Sequence, residues 1–289
     1  MIQDIVKHRI EIEKYKNEVA RRIIKNLAGL YPEIKPYILD IDFNNANYML
    51  NQVRSVIDER MAGIKQTLQS NATDFMVYEA SFQTKVISTL LDNKKITREF
   101  MNKQTASIVF DKAYLINDTF GNTFDNMNYS FKKSITDNVN FAIKNGLTSR
   151  DVTSQVRQVM ISFTDNNINS LVRTTIQNAS TLAAEEAYKD ADVEWYQYCA
   201  VLDNRTTQIC QDLNNTVAKV GEGKIPPQHY NCRSFTIPLD NKKAMELAKN
   251  YPEFFKNNND GSLPEPDAKD GKMYVTSSLT LDNMIKREL

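Results

Sequence analysis

The chain has 289 residues, of which 41% are hydrophobic and 25% charged, a composition that is typical of a globular protein and argues against wholesale disorder. Its formal net charge is zero, which excludes a global field that would draw the protein to nucleic acid or to an anionic membrane. No apolar run approaches the roughly 20 residues of a membrane span, and the charged N-terminus is unlike a signal peptide. Three cysteines argue against a disulfide framework and indicate a reducing compartment.

The first predicted element is an amphipathic helix. Between Ile12 and Leu27, apolar residues recur at three- and four-residue spacing, which is the pattern of one buried helix face. Gly29, Pro32 and Pro36 follow directly. Because proline cannot continue the helical backbone ladder, we expect these residues to end the helix.

A second, much longer helix is predicted from about residue 46 to residue 91, with a length of roughly 70 Å at 1.5 Å per residue. Its apolar seam advances in alternating steps of four and three, as in a coiled coil with one polar seam position. The alternative is a pair of shorter helices broken near residues 70–73, but neither Gly nor Pro lies at that point. The seam residues are Ile57, Met61, Ile64, Leu68, Asn71, Phe75, Tyr78 and Phe82.

Further helices are predicted downstream. An aromatic and aliphatic stripe over residues 124–139 predicts a helix whose apolar face belongs to the core, and Gly146 is well placed for a left-handed C-cap. Residue 148 or 149 is expected to begin the next helix. A break is expected at residues 166–167, followed by a helix that runs to about Lys189.

The pattern changes near residue 193, where aromatic and β-branched residues begin to alternate with polar ones. Three strands are predicted at residues 194–202, 217–220 and 234–237, the last of them closed by Pro238. The predicted fold class is therefore mainly α, an elongated assembly of long helices with a small C-terminal α+β module at residues 193–238.

This module contains all three cysteines and one of the two histidines. Zinc prefers four thiolate or imidazole ligands, so Cys210, His229 and Cys232 are candidate zinc ligands and Cys199 is a candidate fourth. About 45 residues form a small core, and a metal would staple it. The spacing C-x10-C-x18-H-x2-C has only one tight pair, so burial of the thiols without metal stays equally open.

A nucleophilic site is the second chemical hypothesis for the same residues. Cys210 would be the nucleophile, His229 the base and Asp203 the group that orients the imidazole. This arrangement needs contact between thiol and imidazole, which spacing alone does not establish. No Gly-rich phosphate loop, HExxH or GxSxG motif accompanies it. We therefore expect no enzymatic activity.

Charged residues in the module predict a structural lock. Asp203 and Arg205 flank a predicted turn, and Arg233 follows Cys232. Aspartate stabilises turns by accepting backbone hydrogen bonds, and arginine can bind a carboxylate through two parallel bonds. We predict that an Asp203–Arg233 or Asp203–Arg205 pair holds the loops of the module together.

The order W…LDxRTxxxC…PPxHxNCRS closely resembles the C-terminal motif of the phage head morphogenesis proteins, the Mu protein F-like minor head proteins. With Gly-Leu-Thr-Ser and a helix upstream, the resemblance covers about residues 145–238. The matching residues are Trp195, Asp203, Arg205, Thr206, Cys210, Pro226, Pro227, His229, Asn231, Cys232 and Arg233.

Three positions depart from the family pattern. Thr207 stands where many relatives have the first Cys of a CxxC, and Ser234 stands where the final Cys of Cys-Arg-Cys belongs. Half of the thiols of a four-ligand zinc site like that of the family are therefore missing. Thr175 replaces the Glu of the Arg-Thr-Glu element.

The resemblance implies a minor structural protein of a tailed-phage head, associated with the portal or the capsid interior and involved in head assembly or genome packaging and ejection. The implied location is the virion, after synthesis in the host cytoplasm. Implied partners are the portal and/or the major capsid protein, with packaged DNA and self-association through long helices as further contacts. A zinc-stapled DNA-binding module is the alternative, and a cysteine hydrolase or a nuclease is the least favoured.

The expected organisation has three parts. An elongated helical region occupies residues 1–144, and the head-morphogenesis domain, which includes the α+β module, occupies residues 145–240. A C-terminal helix and a flexible docking tail occupy residues 241–289.

Overall fold

The fold is mainly helical, as predicted, in the computed structural model of the protein, which describes residues 2–42, 44–90, 101–112 and 118–256. None of the helices in these ranges combines the length and apolarity that a bilayer span requires. The described α-helices are Ile2–Ala28 (α1), Leu30–Leu39 (α2), Ala46–Leu90 (α3), Lys103–Lys112 (α4), Phe120–Lys144 (α5), Ser149–Ser162 (α6), Asn169–Asp190 (α7), Gln208–Leu213 (α8) and Asn241–Asn250 (α9).

Helix α1 ends at Ala28, directly before Gly29, as predicted, but the prolines that follow do not exclude a further helix. Helix α2 begins one residue after Gly29 and contains both Pro32 and Pro36. Pro32 lies in the first turn, where a backbone N–H has no acceptor within the helix, so its missing donor costs little. Pro36 removes one internal hydrogen bond. The fully buried apolar face of α2 offsets this loss, and its members are Leu30, Ile34 and Ile38.

Helix α3 is a single helix of 45 residues, so the prediction of one long helix is confirmed. Its buried seam follows the predicted residues as far as Phe75, with the polar Asn71 half-buried. Beyond that point Tyr78 is 58% exposed, while Glu79 and Gln83 are buried. A straight α-helix has 3.6 residues per turn and drifts by about 20° per heptad from a strict repeat of 3.5, so the buried face moves away from the heptad positions.

The next predicted helices are confirmed, with one correction. Gly146 adopts a left-handed conformation (φ +62°) after α5. Thr148 caps α6 in a capping box with Asp151. The break expected at residues 166–167 does not occur, because a π-helical segment, Phe163–Ile168, joins α6 directly to α7. A π-turn accommodates an extra residue without ending the helix.

The described residues divide into two compact units that interleave along the sequence. The first takes residues from Met1–Ile12, Met76–Asn102 and Ser180–Leu289, and the second from Glu13–Phe75 and Lys103–Ala179. The divisions expected after residues 144 and 240 do not separate these units, because α1, α3 and α7 each contribute residues to both. The predicted α+β module lies wholly in the first unit, and the predicted docking tail lies outside the described residues.

The first unit contains the antiparallel sheet, formed by Trp195–Cys199 (β1), Val217–Lys219 (β2) and Phe235–Leu239 (β3) in the order β2-β1-β3. Pro238 was expected to close the third strand, but it lies within β3 opposite Tyr196. Strand β3 is an edge of this sheet, where the missing N–H of a proline is tolerated.

Both faces of β1 are buried, so side chains of opposite parity enter different clusters. Tyr196 packs with Ile87 of α3 and Tyr188 of α7. Trp195, on the other face, packs with Leu239 and with Phe255 after α9, whose ring meets the indole edge at a centroid distance of 5.7 Å. This strand therefore positions the side chains around the candidate site.

Candidate metal centre

Three of the four predicted ligands converge at one end of the sheet. Cys210 comes from α8, and His229 and Cys232 from the segment before β3. Their ligand atoms all lie within 4.8 Å of one another. The two Sγ atoms are 3.7 Å apart, and His229 Nε2 is 3.2 Å from Cys210 Sγ. Two thiolates at 2.3 Å from a tetrahedral zinc would lie about 3.8 Å apart, so the thiol pair fits that geometry.

A hydrogen bond from Nδ1 orients the imidazole of His229 so that Nε2 faces the sulfurs. Nδ1 lies 2.7 Å from the carbonyl oxygen of Tyr230. A carbonyl oxygen only accepts, so Nδ1 carries the proton and donates it. In the neutral ring, Nε2 is then the unprotonated nitrogen that faces Cys210. Metal-binding histidines are typically oriented by such a bond from the other ring nitrogen.

A tight turn brings His229 and Cys232 to the same side. Cys232 N donates to the carbonyl oxygen of His229, and Asn231 between them has φ +60°. Asparagine adopts this left-handed conformation more readily than most residues, which explains its place in the motif. The buried pair Pro226–Pro227 precedes the turn and is joined by a cis peptide bond.

The structure does not bring Cys199, the fourth candidate ligand, to this group. Cys199 packs in a separate apolar cluster with Ile5, Val86 and Phe235. The reason is strand parity: Tyr198 is on the face that looks toward Cys210, so its neighbour Cys199 points to the opposite face. A ligand set of three protein residues therefore remains.

Two hydroxyl groups that the ligand prediction did not include lie beside the thiols. Tyr198 Oη is 3.4 Å from Cys210 Sγ, and Ser234 is hydrogen-bonded to both cysteines. The alternation of side chains along β1 could have indicated that Tyr198 and Cys199 lie on opposite faces, so that only one of the two can lie beside Cys210. Ser234 occupies the position of the family's last cysteine and is only 2% exposed.

The contact between the thiols separates their pKa values. The hydrogen bond from Cys210 lowers the pKa of Cys232 to about 5, against the opposing effect of burial. The same hydrogen bond, together with burial, raises the pKa of Cys210. The lowered pKa favours the thiolate form of Cys232, and the thiolate is the form that binds metals.

Asp203 forms both of the predicted ion pairs. Its carboxylate accepts from Nη1 and Nη2 of Arg233, each at 2.6 Å, in a bidentate arrangement. Arg205 donates from its side chain at 3.2 Å and from its backbone N–H at 2.8 Å. The hydroxyl of Thr206 accepts from Asp203 N and donates to the carbonyl of Val201. The loop before α8 is therefore tied to the loop that carries His229 and Cys232.

The geometry required for a nucleophilic triad is only partly present. Cys210 does contact His229, but the described hydrogen bonds of the imidazole Nδ1 lead to the Tyr230 carbonyl. Asp203, the expected orienting group, is bonded to Arg233 and Arg205 instead. Cys210 is also only 1% exposed, which leaves little room for a substrate. The arrangement suits a buried ligand set better than an attacking thiol.

Comparison with known families supports the resemblance read from the motif. Residues 133–237 match the family model described as Phage Mu protein F like protein. A search of curated proteins and one of solved structures found no match. The matched region includes α6, α7, the sheet through Ile237 and all three converging ligands. Residues 133–237 of this chain, the Mu protein F-like region, are thus similar to a family of phage head proteins.

Proposed function

We propose that this protein is a minor structural component of a tailed-phage head that is associated with the portal or the capsid interior. The match of residues 133–237 to the Mu protein F-like family is the observation that carries the proposal. In this role it takes part in head assembly or in genome packaging and ejection, without enzymatic activity. It is made in the host cytoplasm and is retained in the virion.

The described residues support a scaffolding role. Long helices such as α1 and α3 offer extended surfaces for other proteins, and the zero net charge suits protein contacts better than tight DNA binding. The charged residues of the motif are engaged with one another, as in the Asp203–Arg233 pair, and stabilise loops. The portal and/or the major capsid protein are the proposed partners, with packaged DNA and self-association as secondary contacts.

The test is whether the protein remains with purified heads. We expect the tagged full-length chain to co-sediment with DNA-filled heads at a copy number far below that of the major capsid protein. We also expect it to be protected from external protease until the heads are emptied. Host proteins of similar abundance in the lysate serve as the background control. A chain that stays entirely in the soluble fraction, or that is digested on intact heads, contradicts the proposal.

We further propose that Cys210, His229 and Cys232 bind zinc and staple the module. The convergence of three soft ligands in a small core supports this, since a metal would add stability that so few residues supply poorly. We expect about one zinc per chain in the purified protein. A Cys210→Ser, His229→Ala double variant should lose it, whereas Cys199→Ala should retain it. Equal metal content in the two variants would refute the site.

The alternative of a zinc-stapled DNA-binding module makes a separate prediction. It requires DNA affinity that falls steeply with salt, because phosphate contacts release counterions. Measurement of DNA binding at two salt concentrations, with zinc-loaded and zinc-stripped protein, distinguishes the DNA-binding module from the structural head protein. Strong, salt-dependent and zinc-dependent binding would favour the alternative, and weak binding in both states would favour the structural role.

A further inference from the structure

The two sulfurs of the candidate metal centre also form a close dithiol. Cys210 Sγ and Cys232 Sγ lie 3.7 Å apart, although the residues are 22 positions apart in sequence. A disulfide requires a separation of about 2.05 Å, so the two atoms must approach by less than about 2 Å. Both residues are loop-proximal: Cys210 is in the six-residue helix α8, and Cys232 is in the turn before β3.

We propose that Cys210 and Cys232 form a reversible intramolecular disulfide under mild oxidation, and that this state and the metal-bound state exclude each other. Metal binding needs thiolates, whereas the sulfurs of a disulfide are neutral and bound to each other. After oxidation only His229 is left as a ligand. Formation of the disulfide depends only on the dithiol geometry, whereas the exclusion rests on the zinc site proposed above.

Hydrogen peroxide is a sufficient oxidant, and the reaction balances in two steps. The thiolate of Cys232 attacks one peroxide oxygen, the O–O bond breaks, a sulfenic acid forms, and the departing hydroxide takes a proton from solvent to make water. The sulfur of Cys210 then attacks the sulfenic sulfur. Its proton passes through His229 Nε2, 3.2 Å away, to the departing hydroxide and yields a second water. Two thiols lose two electrons, and one peroxide is reduced.

Cys199 is an internal control for this reaction. It is 3% exposed and packs among Ile5, Val86 and Phe235, on the face of β1 opposite Tyr198. Because the strand separates it from the other two sulfurs, a disulfide that involves Cys199 would require unfolding of the sheet. Oxidation of the folded chain should therefore spare one thiol of the three.

The experiment treats the full-length, metal-stripped protein with a small excess of hydrogen peroxide. Thiols are then alkylated under denaturing conditions, and the products are identified by mass spectrometry. We expect the thiol count to fall from three to one, with a 210–232 cross-link, a mass loss of about 2 Da and full reversal by a reductant. Cys199→Ala should fall from two thiols to none, and Cys232→Ala should form no intramolecular cross-link.

The same treatment after loading with stoichiometric zinc tests the exclusion. We expect cross-linking to slow at least tenfold, with zinc released as the disulfide appears. Persistence of all three thiols, overoxidation without a cross-link, or a cross-link through Cys199 would overturn the disulfide proposal. A cross-link that forms at the same rate with and without zinc would overturn the exclusion and count against the zinc site, while the disulfide itself would stand.

Discussion

Removal of the Arg233 side chain tests whether the ion pair with Asp203 holds the module together. In Arg233→Ala the carboxylate loses two hydrogen bonds of 2.6 Å and keeps the weaker ones from Arg205. The loop before α8 is then no longer tied to the segment that carries His229 and Cys232. We expect the unit that contains the sheet to lose stability without a change of fold.

The structure sets the expected magnitude. Fully exposed ion pairs contribute up to about 1 kcal/mol, and hydrogen bonds to charged groups about 1.5–3 kcal/mol. The side chains of Arg233 and Asp203 are 15% and 32% exposed, so solvent screens the pair in part. We therefore expect a loss of about 2 kcal/mol in the free energy of unfolding. Arg233→Lys keeps the charge but not the fork, and should lose about 1 kcal/mol.

Arg205→Ala is the matched control. Arg205 bonds the same carboxylate, but its side chain is 72% exposed and its shortest side-chain bond is 3.2 Å, so its loss should cost less than about 0.5 kcal/mol. Urea unfolding followed by the fluorescence of Trp195 is the assay, because this is the only tryptophan and lies in the same unit. Equal losses in Arg205→Ala and Arg233→Ala, or an unchanged midpoint in Arg233→Ala, would refute the reasoning.

The remaining predictions concern acid, packing and metal affinity. Arg233 and the turn hold the pKa of Asp203 well below its usual range, so the stability from this pair is present above about pH 4 and is lost as the pH falls toward that lowered pKa. The free energies of unfolding of wild type and Arg233→Ala should therefore converge in acid. Gly223→Ala places a Cβ 2.2 Å from Ala218 Cβ and 2.4 Å from Tyr196 Oη, and should cost about 1–3 kcal/mol in thermal or urea unfolding, whereas an alanine that leaves stability unchanged would contradict the packing. Ser234→Cys restores the family's last thiol beside Cys210 and Cys232, and should raise zinc affinity on the order of 100-fold in a chelator competition; unchanged affinity would mean that residue 234 does not face the metal.

Periodicity alone predicted most of the helices, because a buried face imposes its spacing on the sequence. Periodicity was less informative where an irregular backbone segment continues a helix past residues that usually end one. The π-helical segment Phe163–Ile168 joins two helices through Asn166 and Asn167, which usually indicate a break. Likewise, α2 continues through Pro36 because its apolar face is buried, a tertiary effect that local sequence does not contain.

The candidate site was predictable in its members but not in its geometry. The sequence predicted four candidate ligands, of which three converge. Cys199 is not among them, because it points to the face of β1 opposite Tyr198. A buried pair elsewhere in the same unit escaped prediction altogether. His8 Nε2 lies 2.6 Å from Glu79 on α3. Burial raises the pKa of that carboxyl, but the hydrogen bonds from His8 and Gln83 and the nearby charges of His8 and Arg9 together lower it. No local motif indicates a contact between residues so distant in sequence.

The helix residues that pack against the sheet have a consequence for the timing of folding. Ile5 and Val86 pack against Cys199 and Phe235, so the first unit joins residues that are synthesised roughly 230 positions apart. At 5–20 residues per second, the ribosome needs about 10–50 s to deliver Phe235 after Ile5 has been made. During that interval the helix face that will meet the sheet is unsatisfied and exposed to other chains. The sheet of the Mu protein F-like region thus packs against helix residues that were synthesised earlier, such as Ile5 and Val86. A fragment cut to residues 133–237 would lack these contacts.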